Sequence, residues 1–292
     1  MGFVKPNTLL YYSGAYGGLG VAAFFVISGF VIPLSLERSG YRVSSFGRFL
    51  LRRFVRLDPP YLVAIAASLA LAGYYARVTH TPLAFSTTQI LLHIGYLNVF
   101  FSYPWINPVF WTLAVEVQYY ILMGLAFPSL KKPKLFWLVL APGCVALAVM
   151  IPASGYIFRY FPLFLYGIAA FHRQEGVLGT RSFLLIIFCV CCSAVIALGL
   201  ASAVAGLVTV LCIAFVRFAP RALSRLGAIS YSLYLIHGPI GFTIASVLVR
   251  RIPEIPMFVT ILLSLAACLV AALILYRAIE LPSRRLAARV KY

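Results

Sequence analysis

Charge is scarce in this sequence, and negative charge scarcest of all. Charged residues fill 10% of the 292 positions, and only 6 are Asp or Glu against 24 Lys or Arg. Soluble domains carry about 25% charged residues, so this chain has too few to coat a water-exposed globule. Disorder is excluded from the opposite side, because 63% of the residues are hydrophobic and the mean hydropathy is +1.00. Cysteine is sparse as well. The six (Cys144, Cys189, Cys191, Cys192, Cys212 and Cys268) all fall in apolar stretches, with no metal-ligand spacing to histidine and no loop to staple. They are expected to pack as small apolar side chains, and no metal site is expected. There is no G-x-S-x-G elbow, no H-E-x-x-H and no Walker loop, which removes support for a hydrolase or an ATP-driven transporter. The string GLGVAA at 18–23 matches a dinucleotide fingerprint only in letters, since no strand precedes it and an apolar run follows. Its glycines, with Gly14, are expected to let helices approach closely.

Long apolar runs are abundant. A crossing helix needs about 20 apolar residues, and nine stretches qualify: 17–36, 58–76, 109–128, 135–152, 155–171, 181–199, 201–218, 228–249 and 257–277. A tenth, 88–103, is shorter and carries Gln89, His93 and Asn98, so a re-entrant or interfacial segment is expected there. The fold class is therefore all-α: one polytopic membrane domain over residues 1–292, with about nine transmembrane helices. No cleavable leader is expected in residues 1–16. With alternating connections, nineteen of the 24 basic residues fall on one side, leaving Lys5, Arg77, Arg159, Arg250 and Arg251 on the other. Positive residues accumulate inside, so the rich side, with the C-terminus, is expected to be cytoplasmic. A pI near 10.0 would suggest nucleic acid in a soluble chain. Here the apolar composition makes membrane lipid the partner, and no nucleic acid is expected.

Polar groups inside the spans carry a cost, about 2.5 to 3.5 kcal/mol for a charge at mid-helix, and so mark candidate sites. Glu116 sits mid-span in WTLAVEVQYY, with Thr112, Tyr119 and Tyr120 at helical spacing. His237 sits mid-span in SYSLYLIHGP, with Ser230 and Tyr234 behind it. A carboxylate and an imidazole at similar depth suit general acid–base work; interhelical hydrogen-bond seams would use the same stripes. In the basic loop FGRFLLRRFVRLDPPY, Arg53 and Arg56 share a helical face at the mouth of a span that Pro59 and Pro60 begin. Guanidinium pairs of this kind suit phosphate, although topology alone also predicts a basic loop. Asp58 reads equally as a charge partner or a catalytic group. Arg159 suits an acceptor contact or a snorkelling position. His93 reads as a packing histidine, and His80 and His172 as loop residues with no partner pattern in the sequence.

Four blocks resemble, in order, the acyltransferase 3 family of bacterial membrane proteins: GGLGVAAFFVISGFVI (17–32), FLLRRFVRLDPPY (49–61), NPVFWTLAVEVQYY (107–120) and LGAISYSLYLIHGPI (226–240). YRAIELPSRRL (276–286) is similar to the family's tail. The resemblance implies a bundle of about ten helices in the inner membrane. It also implies transfer of an acyl group, usually acetyl, from cytoplasmic acyl-CoA to a hydroxyl of a cell-surface or lipid-linked saccharide, such as lipopolysaccharide or another polysaccharide. Acyl-CoA is then a co-substrate rather than a bound cofactor. Glu116 and His237 would be catalytic, Arg53 and Arg56 would hold acyl-CoA, and Trp111, Tyr120, Arg159 and Tyr234 would contact substrate. Family members begin with a further helix bearing an arginine and a catalytic histidine. Residues 1–16 have neither, so the chain is expected to be about one helix short, by a misplaced gene start. A transporter or flippase of acylated glycans, or an inactive remnant, would use the same bundle.

Overall fold

The computed structural model describes residues 18–82, 85–216, 218 and 220–291; Lys5, Gly14 and Arg217 lie outside them. Among these residues every regular element is helical. In chain order they are α1 (Leu19–Arg38), α2 (Phe46–Thr79), α3 (Thr87–Ile94), α4 (Trp111–Leu130), α5 (Pro133–Met150), α6 (Phe161–Gln174), α7 (Thr180–Leu198), α8 (Leu200–Phe215), α9 (Arg221–Arg251) and α10 (Met257–Ala287). Seven of them, α1, α2, α4, α5, α7, α9 and α10, are long and apolar enough to cross a membrane. The protein is thus an all-α polytopic membrane protein. The expected spans at 155–171 and 201–218 run as shorter helices, α6 behind a 3₁₀ turn (Ile157–Tyr160), and α8. The helix in the 88–103 segment, α3, has 8 residues, about 12 Å, which is too short to cross.

The basic stretch read as a loop is helical instead. Residues Phe46–Thr79 form one helix through Pro59 and Pro60. Phe49, Arg53, Pro60 and Ala64 are buried at helical spacing, so the buried face continues into the span and carries the helix with it.

Prolines inside membrane helices remove a donor four residues downstream of a carbonyl, and in hydrocarbon an orphaned carbonyl costs several kcal/mol. Side chains answer three of these breaks. Pro33 removes the donor for Gly29, whose carbonyl lies 3.4 Å from the Tyr119 hydroxyl. Pro128 does the same to Gly124, which accepts from Tyr41 Oη at 2.8 Å. Pro239 does it to Leu235, which accepts from Asn107 Nδ2 at 3.0 Å. Two further prolines, Pro142 and Pro282, each follow a π-helical turn, Phe136–Leu140 and Tyr276–Glu280, the wider spacing through which a helix accommodates the lost bond.

The chain divides into two compact units. The first holds α1, α4 from Val115 onward, and α5 to α8. Its centre is α6, buried at every position from Phe161 to His172 and packed by α1, α5, α7 and α8. The α1–α6 crossing is backbone on backbone: a Cβ at Gly29 would strike the carbonyl of Phe164, and one at Gly167 the carbonyl of Val26. The close approach expected of Gly18 and Gly20 is not there among the described residues, none of which lies within 4 Å of a Cβ on either. His172, expected in a loop with no partner pattern, is 1% exposed near the end of α6. Its Nδ1 accepts from Trp137 Nε1 at 2.9 Å and its Nε2 donates to the Leu130 carbonyl at 3.0 Å.

The second unit holds α2 from Gly47, α3, the segment up to Ala114, α9 and α10. Here α9 packs along α10, and the 3₁₀ turn Pro108–Phe110 packs on α9. His93 organises the α3 segment. Ile106 N donates to His93 Nε2 at 3.0 Å, so the proton is on Nδ1, which donates to the Gln89 carbonyl at 2.7 Å. The packing-histidine reading of His93 fits this geometry.

Candidate functional site

In the first unit the candidate is Glu116. It lies one turn into α4 at 3% exposure and accepts from Ser28 Oγ of α1 at 2.8 Å. The residues around it are fixed by aromatic contacts: Tyr119 stacks on Phe164 with centroids 4.0 Å apart, and Tyr120 is 5% exposed. Gln118, on the next face, ties down the chain entering α6 by donating to Gly155 O and accepting from Ile157 N, both at 3.0 Å. Arg159 belongs to that entrance, its Nη1 donating to the Pro152 carbonyl at 2.6 Å.

In the second unit the two sequence stripes meet at their ends. The Tyr234 hydroxyl donates to Val109 O at 3.0 Å and lies 2.7 Å from Thr112 Oγ1. That is the interhelical seam which the stripe pattern allowed. Trp111 beside it is half-buried. Ser230 leaves the stripe, being exposed and bonded to Gly227 O of its own helix. His237 is exposed, with Nδ1 2.8 Å from the Tyr234 carbonyl. A carbonyl can only accept, so the proton sits on Nδ1 and the Nε2 lone pair remains for other chemistry. Glu116 thus takes its hydrogen bond within one unit and His237 within the other.

Arg53 is 6% exposed, with its guanidinium 5.4 Å from the Phe49 ring centroid, while Arg56, three residues on, is half-buried. Next to them stands a cluster that sequence reasoning left undecided or missed. Asp58 accepts from Tyr96 Oη at 2.8 Å, and Tyr96 stacks on Tyr61 at 4.8 Å. Burial, then neighbouring Tyr231 and Asp58, push the Tyr96 phenol well up, so it stays protonated and donates. Tyr231 Oη donates to Leu57 O at 2.9 Å. Glu280, 3% exposed, accepts from Ser232 Oγ at 2.6 Å and has Arg284 Nη1 at 3.8 Å. The signal available in the sequence was scarcity. With six acids in the chain, every one in an apolar helix merited the suspicion that fell only on Glu116. Asn107 was also missed: 2% exposed, it bonds Leu235 and approaches α9 where Gly238 leaves room.

The sequence model of the acyltransferase 3 family, described as an acyltransferase domain, matches residues 2–277. No curated protein and no solved structure matches the chain.

Proposed function

Because the chain belongs to the acyltransferase 3 family and is a multi-pass membrane protein whose family transfers acyl groups, we propose that it moves an acyl group, acetyl in the first instance, from cytoplasmic acyl-CoA to a hydroxyl of a cell-surface or lipid-linked saccharide at the bacterial inner membrane. The family match over nearly the whole chain carries this reading. Site chemistry supports it at three points. The Arg53 and Arg56 guanidiniums suit the phosphates of coenzyme A, which holds them as a fixed polyanion. His237 keeps an Nε2 lone pair with its other nitrogen committed to Tyr234 O, the arrangement a general base needs. Glu116, buried at 3% exposure and accepting from Ser28 Oγ, is a carboxyl group of the kind that acid–base catalysis employs.

The reaction balances simply. The base takes the proton of the acceptor hydroxyl, whose oxygen attacks the thioester carbonyl carbon. The tetrahedral oxyanion collapses, the C–S bond breaks, and the coenzyme A thiolate leaves and takes up the proton. Tyr234, already bonded to Val109 O, positions the start of α4.

Purified protein in lipid nanodiscs, given radiolabelled acetyl-CoA and membrane-derived glycan acceptors, should label the saccharide fraction. Glu116→Gln and His237→Gln should each lower kcat by about 100-fold or more. Arg53→Ala with Arg56→Ala should raise the KM for acetyl-CoA about tenfold with a smaller change in kcat. Acceptor movement that needs no acyl-CoA, and survives the arginine substitutions, would make the protein a transporter and overturn the proposal.

A further inference from the structure

The second unit contains a cavity of about 610 Å³ between the later turns of α2 and α9, within the range of small-molecule sites. Its floor is Asn107–Pro108 against Gly238–Pro239, and its mouth is Arg250 and Arg251 at the last turn of α9. From Gly238 to Arg250 the helix rises about 18 Å, so the cavity runs from mid-helix to the helix end. Nothing in the acyl-transfer scheme above uses it.

The lining is specific in chemistry. Among the described residues that line it there are two arginines and no acid, and neither arginine takes part in an ion pair. Arg250 is held in place by Tyr75: its Nη2 donates to the phenol oxygen at 3.2 Å, and its guanidinium lies 5.5 Å from the ring centroid. A positioned guanidinium beside a second one is a receptor for an oxyanion, and phosphate geometry fits its fork. Below the mouth, Thr243 and Ser246 are hydroxyl-bearing residues in a largely apolar lining, while Ser68 donates its own hydroxyl to Ala64 O of α2. A lipid tail would need no hydroxyls there, whereas a sugar would. Tyr74 and Tyr75, 64% and 51% exposed, offer flat faces of the kind on which the C–H side of a sugar ring stacks.

We propose that this cavity binds the acyl acceptor and that the acceptor is a phosphate-bearing saccharide, its phosphate between Arg250 and Arg251 and its sugar extending past Ser246 towards the floor beside Gly238. The inference rests on the acyl-transfer reading and specifies its acceptor. By the charge distribution the mouth opens on the side opposite the cytoplasmic face, where a surface saccharide is available. The Gly238–Pro239 side of the floor lies on α9, the helix that also carries His237, the proposed base.

The test is equilibrium binding to the full-length protein in phosphatidylcholine nanodiscs without acyl-CoA. The probes are glucose 1-phosphate, prenyl-phosphoglucose, glucose and phosphatidylglycerol. Both phosphosugars should bind, and Arg250→Gln with Arg251→Gln should weaken them roughly tenfold or more while leaving glucose unchanged. Ser246→Trp, which fills the cavity without altering its charge, should abolish binding of either. Prenyl-phosphoglucose binding tighter than glucose 1-phosphate identifies a lipid-linked acceptor; equal affinities identify a free phosphorylated glycan. The proposal is overturned if glucose binds as well as glucose 1-phosphate, if the double variant keeps native affinity, or if phosphatidylglycerol competes as well as the phosphosugars. Binding without any acetyl transfer would leave the cavity standing and remove the acyl-transfer reading. Transfer by a protein that binds no phosphosugar would do the reverse.

Discussion

Tyr41 donates its hydroxyl to a carbonyl whose helical donor Pro128 has removed. Tyr41→Phe should therefore destabilise the protein by about 1 to 3 kcal/mol. The same substitution in a Pro128→Ala background should cost much less, because an alanine at that position restores the N–H. Unfolding in mixed detergent micelles measures both, and equal costs in the two backgrounds would show that the hydroxyl serves another purpose. Tyr119→Phe should matter less, since its bond to Gly29 O is 3.4 Å long. His93 makes a pH prediction. Burial lowers its pKa below the usual 6.5, against the bond to Gln89 O that raises it. Between the folded and unfolded values the unfolded chain binds the extra proton, so stability rises with pH there: the contribution is full above 6.5 and is lost as pH falls through it. The thermal midpoint should drop between pH 7.5 and 5.5, and drop less in His93→Gln, which cannot titrate. His93 was legible as a packing histidine, whereas Tyr41 did not announce itself. Tyr41 acts across 83 positions on a backbone atom, and side-chain-to-backbone bonds leave no pattern in the letters. The Glu116 environment was half legible, because its cost in a bilayer marks it, but its partner Ser28, 88 positions away, does not stand out from any other helical serine.

Among the helices, α1 and α6 make the contact most sensitive to size. The atoms that a Cβ at Gly167 would strike belong to the α1 backbone, which cannot rotate away as a side chain would. Gly167→Ala should cost about 3 kcal/mol and reduce the yield of monodisperse protein, while Gly20→Ala, which meets no described residue within 4 Å, should be silent. If both are silent, the two helices can separate without consequence. The contrast explains why the GLGVAA glycines misled. Glycine spacing says that close approach is permitted, and only the partner's position says where it occurs. The same holds for α2. Two adjacent prolines preceded by Asp read as a boundary, yet the buried Phe49–Arg53 face outweighs them and keeps one helix.

For the whole molecule, charge segregation makes the widest prediction. A fluorescent protein fused after residue 292 should fold and fluoresce, and alkaline phosphatase at the same point should stay inactive, if the end of α10 is cytoplasmic; the opposite pair of results would invert the topology. What the sequence determined by itself was class and family: the shortage of charge, the length of the apolar runs and the ordered blocks suffice, because hydrophobic thickness and membrane insertion respond to composition over about twenty residues at a time. What only the tertiary structure decided was the pairing: which carbonyl each tyrosine meets, which glycine admits a neighbouring backbone, and which arginines border a cavity. Those depend on helices brought together from distant parts of the chain, whose surfaces in lipid are selected by packing and hydrogen bonding rather than by hydrophobicity, the property most easily read from sequence.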